Sequence, residues 1–313
     1  MKQALKKTAL VGTVLLMLSS INTIQAKKVE VSVPIICEKG ENLIPIRKVA
    51  ETLGAKSITW NKKEHILSME VDYKLSHLYL SYLNGLEETN REYVEPLPPR
   101  LRNMELPPYP LKGRNGQQLE QRPITLELKD GDYSASYAVY DYKIADNTLY
   151  LGEEWLNTIF LADSIKIQSK DKLQVQYLDK SELEEEVKTL EGLIKPTTAE
   201  EAITLWSRGQ QTRSGALQYS ALSEPLQKKV MEQFSGWVTG GSSPSLGKLV
   251  SQQAEVVDEG HKVYTLQYDE MLQGKVSGHI QQKVFVEHVD QNGKGFWLIT
   301  GVEGDTGYYS LIK

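Results

Sequence analysis

Residues 42–70 read NLIPIRKVAETLGAKSITWNKKEHILSME, and this one stretch spells a strand, a short helix and a hairpin. Pro45 stands where a helix begins, a position at which its missing N–H costs little. Val49, Ala50 and Leu53 then make one apolar stripe, and Gly54 closes the helix. SITW and HILSMEV alternate apolar and polar residues as half-buried strands do, and Asn61–Glu64 joins them as a hairpin. Upstream, Val29, Val31 and Val33 alternate in the same way. A unit this small buries too little surface to be secure alone. It needs a partner, and that requirement constrains the rest of the chain.

Residues 147–178, NTLYLGEEWLNTIFLADSIKIQSKDKLQVQYL, supply one. They offer a strand, a short helix carrying Trp155, Leu156 and Ile159, and a hairpin turning through Ser169–Lys172. With Ile44 set on Leu149, Ile58 on Ile165 and Ile66 on Leu173, two extra residues fall around the helix. The stretch 123–178 is therefore expected to be a degenerate second copy paired with the first through its sheets. The alternative is two unrelated strand–helix–hairpin units.

The N-terminus, MKQALKKTALVGTVLLMLSSINTIQA, has Lys2, Lys6 and Lys7 ahead of an apolar run from Ala9 to Leu18, with small Ala26 as a cleavage point. This pattern predicts a secretory signal peptide over 1–26. An uncleaved anchor is the alternative, although the run is shorter than the ~20 residues a spanning helix needs. Cleavage removes three of 36 basic residues and none of 41 acidic ones, leaving a net charge of about −8. That sign argues against a nucleic-acid partner. The only cysteine, Cys37, rules out an internal disulfide framework. An export signal, scarce cysteine and lysine-rich wording together suggest a Gram-positive bacterium.

The motif Ile44-Pro45-Ile46-Arg47, Val49-Ala50-Glu51-Thr52-Leu53-Gly54-Ala55 and Trp60 closely resembles the core of the copper amine oxidase N-terminal domain-like, or stalk domain, family. The resemblance covers residues 29–73. It implies an accessory module of secreted and cell-envelope proteins, and no shared activity. The quinone-forming Asn-Tyr-Asp/Glu signature and the His-x-His copper ligands of the oxidase core are both missing from the sequence, so amine oxidase activity is rejected.

Residues 74–122 are the least regular stretch. Their Pro96, Pro98, Pro99, Pro107, Pro108 and Pro110 predict an extended loop and a proline-rich insertion over 94–122. A proline-rich ligand for a partner domain is the other reading. Ser181 with Glu184 suggests a capping box opening a helix along Leu183, Val187, Leu190 and Ile194, a linker over 179–196. From 197 to 313 the pattern is helices and then strands. Thr198 with Glu201 makes a second capping box, a short helix is placed in GALQYSALS, and a third helix starts at Ser223–Pro225 with Leu226, Val230, Met231 and Phe234 on one side. Four alternating strands follow, joined at Glu259-Gly260, Gln273-Gly274 and Asn292-Gly293. This order resembles the nuclear transport factor two-like, or cystatin-like, superfamily in architecture, whose cone often encloses a cavity.

No nucleophile elbow, phosphate loop, His-Glu-x-x-His or dinucleotide fingerprint occurs. His65, His77, His261, His279 and His288 are scattered, and His279 and His288 fall on opposite faces of one strand, so no metal or other cofactor is expected. The densest cluster of candidates is Trp206, Arg208, Arg213 and Tyr219. These could line a cavity mouth and hold an anionic or sugar-like ligand, or serve as core and helix-end residues.

The sequence thus predicts an α+β protein: duplicated small β-rich stalk-like modules over 27–178, then a cone-like C-terminal domain. The expected role is an exported, non-catalytic envelope or secreted protein whose C-terminal domain binds a ligand or an envelope partner. A small cavity hydrolase or isomerase, and an accessory or sensor factor for envelope enzymes, are the alternatives.

Overall fold

A computed structural model describes residues 26–38, 40–89, 123–162, 164–240, 244–291 and 293–312, so the expected signal segment, but for Ala26, and the proline-rich segment lie outside the described residues. The fold is α+β, with its described strands in four sheets. The chain divides into two compact units, residues 1–76 with 94–186, and residues 77–93 with 187–313.

In the N-terminal unit, the first half runs β1 (Lys27–Ser32), β2 (Ile36–Glu38), β3 (Glu41–Pro45), α1 (Ile46–Thr52), β4 (Lys56–Asn61) and β5 (Ile66–Glu70), and the chain then enters α2 (Tyr73–Thr89). The second half runs β6 (Ile124–Asp130), β7 (Tyr133–Val139), β8 (Tyr142–Ala145), β9 (Thr148–Gly152), α3 (Glu154–Phe160), β10 (Ser164–Ser169) and β11 (Lys172–Tyr177), followed by α4 (Lys180–Ile194). The halves interlock strand by strand. Three sheets run β1-β11-β10, β2-β3-β9-β8 and β4-β5-β6-β7, and each contains strands from both halves. Val31, Val49, Ala50 and Met69 from the first half share one core with Leu126, Leu156, Leu173 and Val175 from the second.

The pairing corrects the sequence alignment of the two copies. Ile44 lies directly across from Leu151, and both are fully buried, whereas Leu149 is only half-buried. Strands β3 and β9 have equal length, and each ends in three buried residues. Aligned this way, no extra residues are needed around the helix. Gly54 (φ 102°) and Leu161 (φ 50°) then fall at matching positions after α1 and α3, both left-handed. Glycine takes this conformation freely, whereas leucine adopts it at a steric cost, which here accompanies burial of the side chain.

Part of the stretch expected to be loop is helix α2. Leu75, Leu78, Tyr79 and Tyr82 recur at helical spacing, and the last three are buried. Its first-turn N–H, on Lys74, is capped from far away by Asp130 Oδ2 at 2.8 Å. The capping box of α4 also shifts. Asp179 Oδ1 accepts from Ser181 N (3.0 Å) and Glu182 N (3.1 Å), and Glu182 reaches back to Asp179 N (2.8 Å), so the box is Asp179–Glu182 rather than Ser181–Glu184.

The C-terminal unit holds α5 (Ala199–Gln211), α6 (Gly215–Ser220) and α7 (Glu224–Glu232), then β12 (Ser245–Val256), β13 (His261–Leu272), β14 (Lys275–Gln291) and β15 (Lys294–Gly304). The strands form one antiparallel sheet in sequence order. Gln273 and Gly274 both have positive φ (49° and 77°), as a tight hairpin turn demands. The Thr198–Glu201 capping box opens α5 as its spacing predicts. Helix α5 lies on the sheet with Ala202, Ile203 and Trp206 pressed against Tyr264, Leu266, Tyr268, Val284 and Ile299.

Candidate functional site

The four residues singled out by sequence occupy different neighbourhoods of the C-terminal unit. Trp206 is 0% exposed, and its indole N–H donates to Gln282 Oε1 at 3.2 Å in the core. This is not the mouth of a cavity. Arg213, left-handed at φ 60°, donates to the carbonyl of Pro244 at 3.3 Å. Tyr219 is half-buried and meets Trp237 edge-on at 5.2 Å, with Phe234 on the other contact of that indole at 5.0 Å. Arg208 is half-buried, and its carbonyl accepts from Thr212 Oγ1 at 2.9 Å.

A polar ladder, exposed at Glu200 and buried at Ser207, joins α5 to the sheet. Glu200 accepts from Tyr264 Oη (2.9 Å) and Lys262 Nζ (3.0 Å), and the Ser207 hydroxyl is hydrogen-bonded to Tyr268 Oη (2.6 Å). Two helical turns, about 10.5 Å, separate Glu200 from Ser207, and four strand residues, about 13 Å, separate Tyr264 from Tyr268. The two repeats match closely enough for helix and strand to be fastened at both points. Gln211 Nε2 adds a bond to the Gly247 carbonyl (2.7 Å). Gln282 donates in turn to Asp305 O (3.0 Å), and Tyr309 Oη donates to Glu270 (3.1 Å). Burial raises the phenols of Tyr264 and Tyr268 well above the ordinary tyrosine range, and Tyr309 is pushed up to about 12.

Two polar features of the unit were not singled out from the sequence. Gln210 follows Trp206 by one helical turn on the apolar stripe of α5. It is 0% exposed, and neither atom of its amide has a hydrogen-bond partner. A glutamine on that stripe was the available signal. The second is Glu191, half-buried in α4, which accepts from Tyr82 Oη at 3.1 Å. Burial raises its carboxyl, with Tyr82 and nearby Lys195 opposing, and Tyr219 is pushed up to about 12 by burial and by the Glu191 charge.

The Glu191 shift has a sign. A carboxyl raised on folding binds its proton more tightly in the native chain, so stability is greatest below its unfolded value. It falls as pH rises through the higher folded value. Glu191→Gln is therefore expected to raise the melting midpoint at pH 7–8 and leave it unchanged near pH 4, because an amide still accepts the Tyr82 bond and carries no charge to bury. Thermal scans of both chains across that range check this.

Two concavities lie on the N-terminal unit. One of about 400 Å3 is lined by Glu41, Asn42, Glu153, Glu154, Asn157 and Ser164. Another, of about 510 Å3, is lined by Glu38, Tyr140, Tyr142 and Lys143, with Lys143 Nζ 2.7 Å from Glu38. A recess on the C-terminal unit, beside Val230 and Ile312, holds about 50 Å3.

The histidines stay apart. His279 faces Asp269 (3.2 Å) on the exposed side of the sheet, His288 packs on Trp297 at 5.4 Å, and His261, the first residue of β13, lies against Asp258 (2.8 Å), which raises its pKa. Among the described residues no cluster of three His, Cys, Asp or Glu has metal-binding spacing, and no helix is long and apolar enough to cross a membrane. Comparison with known protein families, with curated proteins and with solved structures finds no match.

Proposed function

We propose that the chain is an exported, non-catalytic protein of the cell envelope or its surroundings, in which the duplicated N-terminal unit carries a C-terminal unit that binds a ligand or partner. One observation carries the export step. Strand β1 begins at Lys27 and pairs with β11 residue by residue, Lys27 opposite Tyr177 and Ser32 opposite Lys172. Removal of residues 1–26 therefore leaves every paired residue in place. The stalk-like motif of residues 44–60 supports the carrier role, and the fastening of Glu200 to Tyr264, Ser207 to Tyr268 and Trp206 to Gln282 supports recognition by the surface of the C-terminal unit.

Expression of the full chain with a C-terminal tag tests this reading. The tagged protein is expected outside the cytoplasmic membrane with Lys27 as its first residue, and to be retained by envelope fractions in a pull-down. A tagged chain confined to the cytosol with Met1 intact would end the proposal. The orphaned amide of Gln210 favours a second reading, in which the C-terminal unit encloses a small polar ligand or substrate.

A further inference from the structure

The two edges of the C-terminal sheet are finished differently. On β15, Ile299 donates to Ala221 O (2.8 Å) and accepts from Ser223 N (2.9 Å), while Trp297 donates to Pro196 O (2.9 Å). That edge is sealed. The start of β12 is sealed as well, by Gln211 on Gly247 and Arg213 on Pro244. From Gln252 to Glu259, however, every residue is exposed, and among the described residues no bond from outside the sheet reaches the backbone of Gln252–Val256. Val257 donates its N–H to His261 O at 3.0 Å. Bonds alternate along an antiparallel strand, so Gln252, Ala254 and Val256 turn their N–H and C=O groups away from β13. An open edge of this kind is a template for another strand.

We propose that the occupant is a second copy of this chain, its β12 running antiparallel to the first about a twofold axis at Gln253. The segment is self-complementary in that register. Val250 meets Val256 of the other copy, Gln252 meets Ala254, and Ser251 meets Glu255, whose carboxylate accepts a hydroxyl proton. Val250 and Val256 are otherwise large apolar side chains left 52% and 66% exposed. Past the end of β12 at Val256, Asp258 comes to the Lys248 end of the other copy, and the outward-facing residues of the strand pair with one another, as an isologous ladder requires. Moving the axis one residue to Ala254 sets Val250 against Asp258 and Lys248 against Gly260, and the match is lost. The register of β12 against β13 slips between Leu249 and Ser251, so the regular part of the proposed ladder runs from Ser251 to Glu255 and the Val250–Val256 contact lies at its ends. A contact of this length belongs with interfaces below ~1,200 Å2, which are transient.

The proposal is independent of export and is tested on the purified full chain with Cys37, the exposed native cysteine, replaced by serine. Gln253→Cys is expected to give a disulfide-linked dimer under mild oxidation, because directly opposed residues across the axis lie within the ~4.4–6.8 Å Cα separation a disulfide spans. Glu255→Cys, whose copies lie farther apart in this register, is expected to stay monomeric. Sedimentation of the chain without added cysteine is expected to show mass rising with concentration. Ala254→Pro, which deletes one outward N–H and no bond to β13, is expected to abolish that rise without changing the circular dichroism. Equal cross-linking of the two cysteine variants, or a mass that stays monomeric at every concentration, would overturn the pairing.

Discussion

Replacing Leu151 with alanine is expected to destabilise both halves of the N-terminal unit at once, by about 2–5 kcal/mol. Leu151 is 0% exposed, sits on β9, and faces Ile44 across the central strand pair. Deleting its side chain opens a cavity where the two copies meet, and the transfer and cavity costs add. Because β1 pairs with β11 and β5 with β6, neither copy has a complete sheet without the other. Loss of the central contact should then reach β4 and β5, which Leu151 does not pair with. Native-state hydrogen exchange reads this directly. Protection in residues 56–70 and in 164–177 is expected to fall by the same free energy. Protection lost only in 148–177, with residues 56–70 untouched, would mean that the copies are separate folding units that happen to adjoin.

How much of this was legible in the sequence follows from where each signal is stored. The hairpin turns, the Thr198–Glu201 box and the stripe of α5 are local patterns, and their positions were readable from neighbouring residues. Helix α2 was not, because Asp130 caps it from another strand, and a proline-rich continuation masked the apolar spacing of Leu75, Leu78, Tyr79 and Tyr82. The register of the duplication was missed by two residues for a similar reason. Strand β9 has apolar residues at both Leu149 and Leu151, and only the partner strand decides which one faces Ile44. In the site, aromatic spacing on α5 identified Trp206 as important. It could not separate a residue that stacks on a ligand from one that fills the core.

Trp206→Ala is expected to be among the most damaging single changes in the C-terminal unit, costing about 3–5 kcal/mol. The indole is 0% exposed and lies among Tyr264, Tyr268, Val284 and Ile299, between helix and sheet. Its removal leaves a cavity and takes from the buried Gln282 Oε1 the indole N–H it accepts from. Trp206→Phe separates these costs. It keeps most of the packing and leaves the Gln282 acceptor unpaired in the interior, a loss of about 1–3 kcal/mol. Adding Gln282→Leu removes that acceptor, although it also releases the bond to Asp305 O, so partial recovery relative to Trp206→Phe alone is expected. Hydrogen exchange of β13 and β14 amides, which resolves this unit from the other, is the measurement. If Trp206→Phe left that protection unchanged while abolishing retention by envelope fractions, the indole would be a recognition residue, and the interior described above could not be the packed layer that fastens α5 to the sheet.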